Sequence, residues 1–323
     1  MQWQYVLGFR MEAKMFIKRI FKSVEYRLNL FGNRIKYDLN WGGVRRNNPH
    51  VLTSIETINK IKDEKLSLAR FGDGEFYLML GLDYSPFQKC TPELTKDLLE
   101  VVSNTSNGIM IGLPDTFNDV SRYEKKSRDF WKSFMGEYRN RIIEKLPSNY
   151  LDIVYANTNS TRFYSDLEDK TACIPIIESF KEVWKGRPII CIEGEKTRLG
   201  VGNDLFEEAS EFKRILLPAK NAYEKIYEVM DWIEENKNEY VKENTLFILA
   251  AGMAATVLAY RLWQKGYQAL DLGHIDIQYE YYLRKAKDKI AIPGKYTNEN
   301  SNGRNPDDSI VDESYSKQII ANF

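Results

Sequence analysis

Two acidic side chains separated by one glycine, Asp73 and Glu75, are the residues of this 323-residue sequence whose types and spacing most clearly suggest chemistry. They follow the short apolar run at 66–71, which is typical of a buried strand, so we expect them where that strand ends. In an extended chain, residues i and i+2 project to the same side, about 6 to 7 Å apart. Two carboxylates placed in this way can hold one hard cation such as Mg²⁺ or Mn²⁺. Gly72 and Gly74 would let a phosphate approach the backbone, although a structural Asp-Gly turn with solvated acids is the competing interpretation.

A second candidate is the glycine-rich stretch CIEGEKTRLGVGNDLF at residues 191–206. Its pattern predicts a strand, a loop and then a helix capped by an Asn or Asp side chain. A helix N-terminus and an arginine together favour a bound phosphate. The spacing is not the GxGxxG dinucleotide fingerprint, and a tight structural turn remains the alternative. The members that we assign to nucleotide binding are Arg198, Gly200, Gly202, Asn203 and Asp204.

Three further polar or small-residue clusters follow apolar runs. They are LAAGMAATVLAY (249–260) with Gly252, NTNSTRFYSD (157–166) with Arg162, and ALDLGHIDIQYEYY (269–282) with His274 and Asp276. Each has a plain structural alternative: a glycine also permits tight packing, an arginine often makes only a surface ion pair, and a lone histidine is more often structural than catalytic. Because the carboxyl ends of parallel strands share one edge of a sheet, a single crevice would explain all of these clusters together.

Short apolar runs that alternate with longer helical patterns indicate the fold class. The runs lie at 66–71, 109–113, 151–155, 188–193, 214–218, 246–251 and 268–272, and helical patterns include 221–236 and 253–265. Strands alternating with helices predict an α/β protein with a Rossmann-like, doubly wound, mostly parallel sheet. We place this domain at residues 51–323, with a polar segment at 294–306 that indicates a long loop or a lid.

Residues 1–50 form a separate arm and linker in this interpretation. Apolar residues at helical spacing between residues 14 and 28, with lysine and arginine between them, predict a basic amphipathic helix. Residues 1–37 carry eight Lys or Arg and two Glu, a local charge of +6 that leaves the remainder of the chain at −6. Such a helix can lie on an anionic membrane surface, or it can dock on the protein's own core or on a second copy, which would make a homodimer. The turn-rich segment at 40–50 links it to the main domain.

Composition narrows the function class. The net charge is zero, so no global electrostatic field recruits nucleic acid. Three widely spaced cysteines, Cys90, Cys173 and Cys191, indicate neither a disulfide framework nor a CxxC metal site. Neither a signal peptide nor an apolar run of the roughly 18 to 20 residues that a membrane span requires is evident. We therefore expect a cytoplasmic protein, with peripheral contact at the inner face of the membrane if the arm binds lipid.

Taken together, the motifs resemble the GT-D-type glycosyltransferases, a family first catalogued as a domain of unknown function. The similarity runs from about residue 66 to residue 299. It rests on RFGDGEF (70–76), IGLPD (111–115), NSTRFYSD (159–166), EGEKTRLGVGNDLF (193–206), LPAKNAY (217–223), GHIDIQYEY (273–281) and GKYTNE (294–299). Two departures are Gly252-Met253-Ala254-Ala255, where relatives have Gly-Pro-Thr-Ala, and Gln278 and Tyr281, where relatives tend to have Glu and Trp.

The resemblance implies a transferase that uses a nucleotide-diphosphate sugar, typically a UDP-sugar, with Mn²⁺ or Mg²⁺ held by Asp73 and Glu75. The residues then assigned to the nucleotide sugar are Arg70, Gly72, Arg162, Arg198, Gly200, Gly202, Asn203, Asp204, Asn221 and Gly252. For an inverting reaction the first choice of general base is Asp276, followed by His274 and Asp115. The acceptor would be a cell-surface glycan, carried on lipid or on a glycoprotein. A noncatalytic nucleotide-sugar-binding or scaffold protein and an S-adenosylmethionine-dependent methyltransferase are the alternatives, and the latter leaves the paired acids unexplained.

Overall fold

The computed structural model describes residues 23–40, 47–83, 87–311 and 313–323. Within these ranges the strands are β1 (His50–Val51), β2 (Ser67–Arg70), β3 (Ile109–Leu113), β4 (Val154–Asn157), β5 (Pro188–Gly194), β6 (Glu211–Leu217), β7 (Leu246–Ala250), β8 (Gln268–Asp271) and β9 (Ile319–Asn322). The helices are α1 (23–40), α2 (Ser54–Asp63), α3 (Asp73–Met79), α4 (Pro92–Val102), α5 (Lys125–Ile143), α6 (Cys173–Trp184), α7 (Ile226–Glu235), α8 (Ala254–Gln264), α9 (Ile275–Leu283) and α10 (Glu313–Gln318). None of the helices in these ranges is long and apolar enough to cross a membrane.

The strands of the described residues form one sheet in the order β1-β4-β3-β2-β8-β7-β5-β6-β9, and every neighbouring pair is parallel. The sequence of β5 shows why such strands read as unbroken apolar runs. Ile189 and Cys191 point into one hydrophobic layer, while Ile190 and Ile192 point into the other. A parallel strand covered on both faces needs apolar residues on both.

Helices cover the two faces of the sheet, so the fold is doubly wound. Residues of α3, α4, α5, α7 and α8 pack into the hydrophobic layer on one face, and residues of α2, α6 and α9 pack into the layer on the other. The predicted fold class is therefore confirmed, and each predicted apolar run corresponds to a strand within a few residues. The strands β1 and β9 are additional to the prediction.

Helix α1 shows what part of the predicted arm does. One of its faces docks on α5, where Asn33 donates a hydrogen bond to Glu137 (3.2 Å) and Arg34 forms an ion pair with Asp129 (3.2 Å). The buried Tyr37 donates its hydroxyl hydrogen to the carbonyl oxygen of Thr116, also at 3.2 Å. This end of the arm thus docks on the protein's own core. Residues 14–22 of the predicted helix and residues 41–46 of the predicted linker lie outside the described residues.

The predicted polar loop at 294–306 contains one short 3-10 turn, Ser301–Gly303, and otherwise irregular backbone. Hydrogen bonds nevertheless hold this loop in place. The guanidinium of Arg198 donates a hydrogen bond to the carbonyl oxygen of Gly294 at 2.7 Å, and Thr297 donates its backbone N–H to Gly303 at 2.8 Å. Lys295 is fully buried. The loop packs against the carboxyl edge of the sheet, where the candidate site lies.

Candidate functional site

A cavity of about 810 Å³ opens at the carboxyl ends of β2, β5, β7 and β8. Arg70, Gly194 and Ala250 are the last residues of β2, β5 and β7, and Gly273 follows β8 by two residues; all four line the cavity. This is the edge at which open α/β sheets bind their ligands, and the volume lies in the range of small-molecule sites. The single crevice expected from the sequence therefore exists, and it gathers several of the predicted residues.

The acidic pair begins helix α3 instead of extending strand β2. Gly72 is the N-cap of α3 and Asp73 its first residue, and the Glu75 carboxylate accepts a hydrogen bond from the Gly72 N–H at 2.8 Å. The expectation of an extended segment is thus wrong. In a helix, residues two apart are rotated by about 200° about the helix axis, so the two side chains do not project to the same side as they would in a strand. Both side chains still line the cavity. Glu75 uses one oxygen to cap its own helix. Asp73 forms no ion pair with any described residue, and its carboxylate is stabilised by the backbone N–H groups of Asp73 and Gly74.

Burial raises the pKa of both acids. For Glu75, burial together with the negative charge of Asp271 raises the pKa to about 7. For Asp73, burial raises the pKa while the positive charge of Arg162 opposes the change. A carboxylate whose charged form is penalised in this way gains when a cation binds beside it. Among the described residues no group of three or more His, Cys, Asp or Glu side chains could hold a metal. A divalent cation here would therefore take most of its ligands from substrate and water, as Mg²⁺ often does.

Two of the three arginines predicted to bind the donor, Arg70 and Arg162, line the cavity, but both already have carboxylate partners. The guanidinium of Arg70 pairs with Asp271 at 2.9 Å. The guanidinium of Arg162 pairs with Asp166 at 2.6 Å and with Glu299, from the polar loop, at 2.7 Å. Burial would raise the pKa of Glu299, but Arg162, and after it His274 and Lys289, lower that pKa to about 2. These arginines are positioned and neutralised by the protein itself.

Three cations that the sequence analysis did not select also line the cavity: Lys196, Lys220 and Arg304. None of them forms an ion pair with a described residue. Their loops meet, since Tyr296 donates its backbone N–H to the Lys196 carbonyl at 2.9 Å, and a Cβ built on Gly194 would lie 4.0 Å from the Cα of Ala219. The signal for two of them was present in the sequence, because Lys196 and Lys220 follow β5 and β6 by two and three residues. Arg304 lies in an irregular loop, whose path no periodicity reveals.

Two of the predicted bases lie on the cavity wall in different states. Both carboxylate oxygens of the buried Asp276 are occupied, one by Asn203 (2.8 Å) and one by Lys295 (2.7 Å). The imidazole of His274 forms no hydrogen bond with a described residue. Burial lowers the pKa of His274 to about 4, against the opposing charge of Glu299, so the ring is neutral at pH 7.

The third predicted base, Asp115, is not among the residues that line the cavity. Its carboxylate accepts hydrogen bonds from the Tyr123 hydroxyl and from the Asn159 amide (3.1 Å), and it pairs with Arg122. Asp115 follows β3 closely, as the sequence indicated, but its side chain is engaged in this cluster.

The glycine-rich stretch also lies outside the cavity wall from Arg198 to Asp204, except for Leu199. The expected helix after it is absent: residues 201–210 form turns that lead directly into β6. Arg198 holds the polar loop, Asn203 bonds Asp276 and Glu280, and Asp204 pairs with Lys181 at 2.7 Å. Gly200 and Gly202 adopt positive φ angles of 72° and 78°, which glycine tolerates best. The stretch therefore supports the site indirectly, by bonding to the polar loop and to α9.

Asn221 and Gly252 both contact Phe87. Asn221, with a positive φ of 54°, donates its backbone N–H to the carbonyl oxygen of Phe87 at 2.6 Å, and it does not line the cavity itself. Gly252 and Gly72 do line it. A Cβ added at Gly252 would lie 3.0 Å from the Phe87 ring, and its φ is 57°, so a larger residue there would be strained.

Comparison with known proteins shows which family this chain resembles. A family model described as glycosyltransferase GT-D fold matches residues 68–300. The chain is 36% identical over 281 residues to the probable glycosyl transferase Gly of Streptococcus gordonii, covering 84% of this chain and 39% of that protein. It is 35% identical over 267 residues to glycosyltransferase GlyD of Streptococcus pneumoniae, covering 82% of this chain and 31% of that protein. The chain thus spans less than two fifths of the length of these curated relatives.

Solved structures agree with this placement. A glycosyltransferase of the domain of unknown function 1792 from Streptococcus sanguinis matches with a TM-score of 0.76 at 32% identity, covering 85% of this chain and 99% of that one. Another structure of this domain, described as having a distinct glycosyltransferase fold, matches with a TM-score of 0.75 at 35% identity, covering 85% of this chain and 96% of that one. The family predicted from the motifs is confirmed, and the chain belongs to the glycosyltransferases of the GT-D fold.

Proposed function

We propose that this protein transfers a sugar from a nucleotide-diphosphate sugar, a UDP-sugar, to a glycan acceptor. The observation that supports the proposal is that some cationic side chains on the cavity wall are paired with carboxylates and others are not. Lys196, Lys220 and Arg304 face the cavity without an ion pair among the described residues, so an anionic ligand would supply their missing partner. A diphosphate has the charge to match several cations, and the family membership of the chain supports a sugar donor.

The second part of the proposal is a divalent metal, Mn²⁺ or Mg²⁺, at Asp73. The chemistry of this residue fits a hard cation, since it is an oxygen ligand whose charged form is destabilised by burial and which has no protein cation bonded to it. The second oxygen of Glu75 would complete the protein's share of the ligands, while its first oxygen holds the N-terminus of α3. When bound, the metal would screen the negative charge that develops on the departing diphosphate.

The proton of the acceptor hydroxyl needs a receiving group on the same wall. We propose His274 ahead of Asp276 for this role. The neutral ring of His274 has a free nitrogen, whereas Asp276 has a buried lysine and an amide on its two oxygens. Asp276 then acts as a positioning residue that ties α9 to the polar loop.

We further propose that the acceptor is a cell-surface glycan, carried on lipid or on a glycoprotein, and that the enzyme meets it as a peripheral protein at the inner face of the membrane. The basic arm supports this location, since residues 1–37 carry a charge of +6. A homodimer formed through the arm is the competing role for that segment.

The test is UDP release from a panel of UDP-sugars, with Mn²⁺, with Mg²⁺ and with a chelator. We expect metal-dependent release that increases when an acceptor glycan is added. A matched pair of variants ties the result to the cavity. Lys196→Gln should weaken UDP binding measured by calorimetry, and Lys225→Gln should not, because this equally half-buried lysine lies outside the cavity and pairs with Glu228.

Each alternative gives a different result in the same experiment. UDP binding without release would indicate a noncatalytic binding protein. Binding of S-adenosylmethionine without binding of UDP would indicate a methyltransferase. Either outcome would contradict the proposed transferase.

A further inference from the structure

Helix α1 has two faces of opposite character. The face that contains Leu30, Asn33, Arg34 and Tyr37 is turned toward the body, and the last three bond to the body. The other face carries a row of large apolar side chains, which we call the α1 stripe. The stripe consists of Val24, Leu28, Phe31, Ile35 and Leu39, with exposed fractions of 49, 64, 60, 43 and 78%.

The stripe is not a random scatter of surface residues. Its members are separated by four, three, four and four positions, so they lie in one row along a helix. Single exposed apolar residues are common on soluble proteins, but a contiguous row marks a contact surface. The part of the chain that the structure describes leaves this row open to solvent.

Charge distinguishes between the surfaces that could cover the stripe. Up to residue 40, where α1 ends, the chain has eight cationic side chains and three acidic ones, Glu12, Glu25 and Asp38. One of the eight cations, Arg34, pairs with the body, which leaves at most seven for another surface. Two copies paired stripe to stripe would bring these cations together with few acids to bridge them, which disfavours self-association. An anionic lipid surface attracts the same cations and accepts the apolar row at its boundary. From this we infer that the α1 stripe binds an anionic membrane surface.

The position of α1 relative to the cavity gives this contact a role. Helix α1 docks on α5, and Trp131 of α5 lines the cavity. Tyr37 bonds to Thr116, three residues after the carboxyl end of β3. The stripe is therefore separated from the cavity wall by α1 and α5, each about 10 Å across. A lipid surface at the stripe would hold the cavity near membrane-borne acceptors, so this inference rests on the proposed peripheral location and identifies the surface that provides it.

The experiment uses the full chain and vesicles of phosphatidylcholine with and without phosphatidylglycerol, in a sedimentation assay. We expect the wild type to bind only the anionic vesicles and to be released by added salt. Leu28→Ser/Phe31→Ser/Ile35→Ser should weaken that binding at least about tenfold, since membrane binding scales with the apolar area buried. A matched control, Ile174→Ser/Leu151→Ser/Val241→Ser, removes three side chains of similar exposure elsewhere on the surface and should bind like the wild type.

Two further measurements make every outcome decisive. Thermal melting of the stripe variant should match that of the wild type, and light scattering should show the same mass for both in the absence of lipid. Wild-type binding that is absent, or equal for the two triple variants, would overturn the inference. A dimer that the stripe substitutions dissociate would assign the stripe to a second copy, and a lowered melting temperature without vesicle binding would assign it to packing within the chain. Because vesicle binding needs no turnover, its failure would leave the UDP-release result standing, and the reverse also holds.

Discussion

Two groups of charged side chains contribute to the cavity wall, and they differ in how their charges are compensated. In the first group each charge has a protein partner, as in the Arg70–Asp271 pair (2.9 Å) and the buried Asp276–Lys295 pair (2.7 Å). In the second group, which comprises Lys196, Lys220, Arg304 and Asp73, no member forms an ion pair with a described residue. Each pair of the first group contributes one residue to the wall, Arg70 and Asp276, and its charges are compensated without a ligand.

This difference separates residues that build the site from residues available to a ligand. A buried pair needs both members, because removing one leaves an uncompensated charge in a poorly solvated place. An unpaired charge at the cavity wall stays partly solvated until a ligand of opposite charge arrives. Substitutions in the first group should therefore change stability, and substitutions in the second should change binding and turnover.

The largest effect is expected in the first group. Lys295→Met removes the cation that bridges Asp276 and Glu280 and leaves two buried carboxylates without it. The free energy of unfolding should fall by about 3 to 5 kcal/mol. Urea denaturation measures this, with Lys220→Met as the matched control; that exposed residue should change stability by less than about 0.5 kcal/mol. An equal decrease in the free energy of unfolding for the two variants would contradict the distinction between paired and unpaired charges.

The next effect concerns turnover. Asp73→Asn keeps the shape of the side chain but removes the anionic ligand, so the rate of sugar transfer should fall by about 10³. Without ligand the melting temperature should change little, because Asp73 forms no ion pair with a described residue and an amide oxygen can still accept from the backbone N–H groups that act on it. The stabilisation that UDP and Mn²⁺ give the wild type, roughly 2.7 kcal/mol at a hundredfold excess over the dissociation constant, should disappear. If the variant retains this ligand stabilisation, the acidic pair only forms the start of α3 and does not bind a metal, as the alternative structural interpretation holds.

The acidic pair also shows what sequence reasoning could and could not reach. The strand before it was predictable, since a short apolar run indicates a strand that is buried on both faces. Leu68 and Ala69 of this strand are indeed fully buried. The helix that starts at Asp73 was missed because Gly72 and Gly74 suggest a turn. The Glu75 carboxylate three residues after the N-cap was the available signal, as a capping residue that satisfies a backbone N–H.

Other features depend on contacts between distant segments, which one sequence does not display. The Asp276–Lys295 pair joins helix α9 to an irregular loop, and Arg198 turned out to hold that loop instead of facing the cavity. The strand β9 was missed because its pairing with β6, a segment far away in the sequence, is what makes Ile319–Asn322 a strand. In contrast, Lys196 and Lys220 could have been selected by asking which cations follow strand ends.

The third prediction tests the unpaired cations. Lys196→Gln/Lys220→Gln should raise the dissociation constant for UDP by about 10², because each charge-assisted contact to a phosphate contributes on the order of tenfold. The melting temperature of the free protein should stay the same. Titration calorimetry at two salt concentrations gives a second readout, since binding by the variant should depend less on salt. Unchanged affinity would show that the donor diphosphate lies elsewhere in the cavity.

The smallest effect is a pH dependence, and it has opposite signs for two groups on the wall. Burial lowers the pKa of His274 to about 4, below the ordinary value near 6.5 of an unfolded chain. As the pH falls from 6.5 to 4, the unfolded state takes up this proton before the folded state does, so the wild type loses stability that His274→Gln keeps. Burial raises the pKa of Glu75 to about 7, so the wild type instead loses stability as the pH rises from about 4.5 to 7, and Glu75→Gln keeps it.

Because both side chains retain contact with solvent, each difference should be only about 1 kcal/mol. Unfolding curves at several pH values should therefore show the advantage of His274→Gln growing toward acid and that of Glu75→Gln growing toward neutrality. Parallel curves for all three proteins would mean that burial does not shift the pKa of either group. That result would contradict the proposed roles of Glu75 in metal binding and of His274 as a neutral proton acceptor.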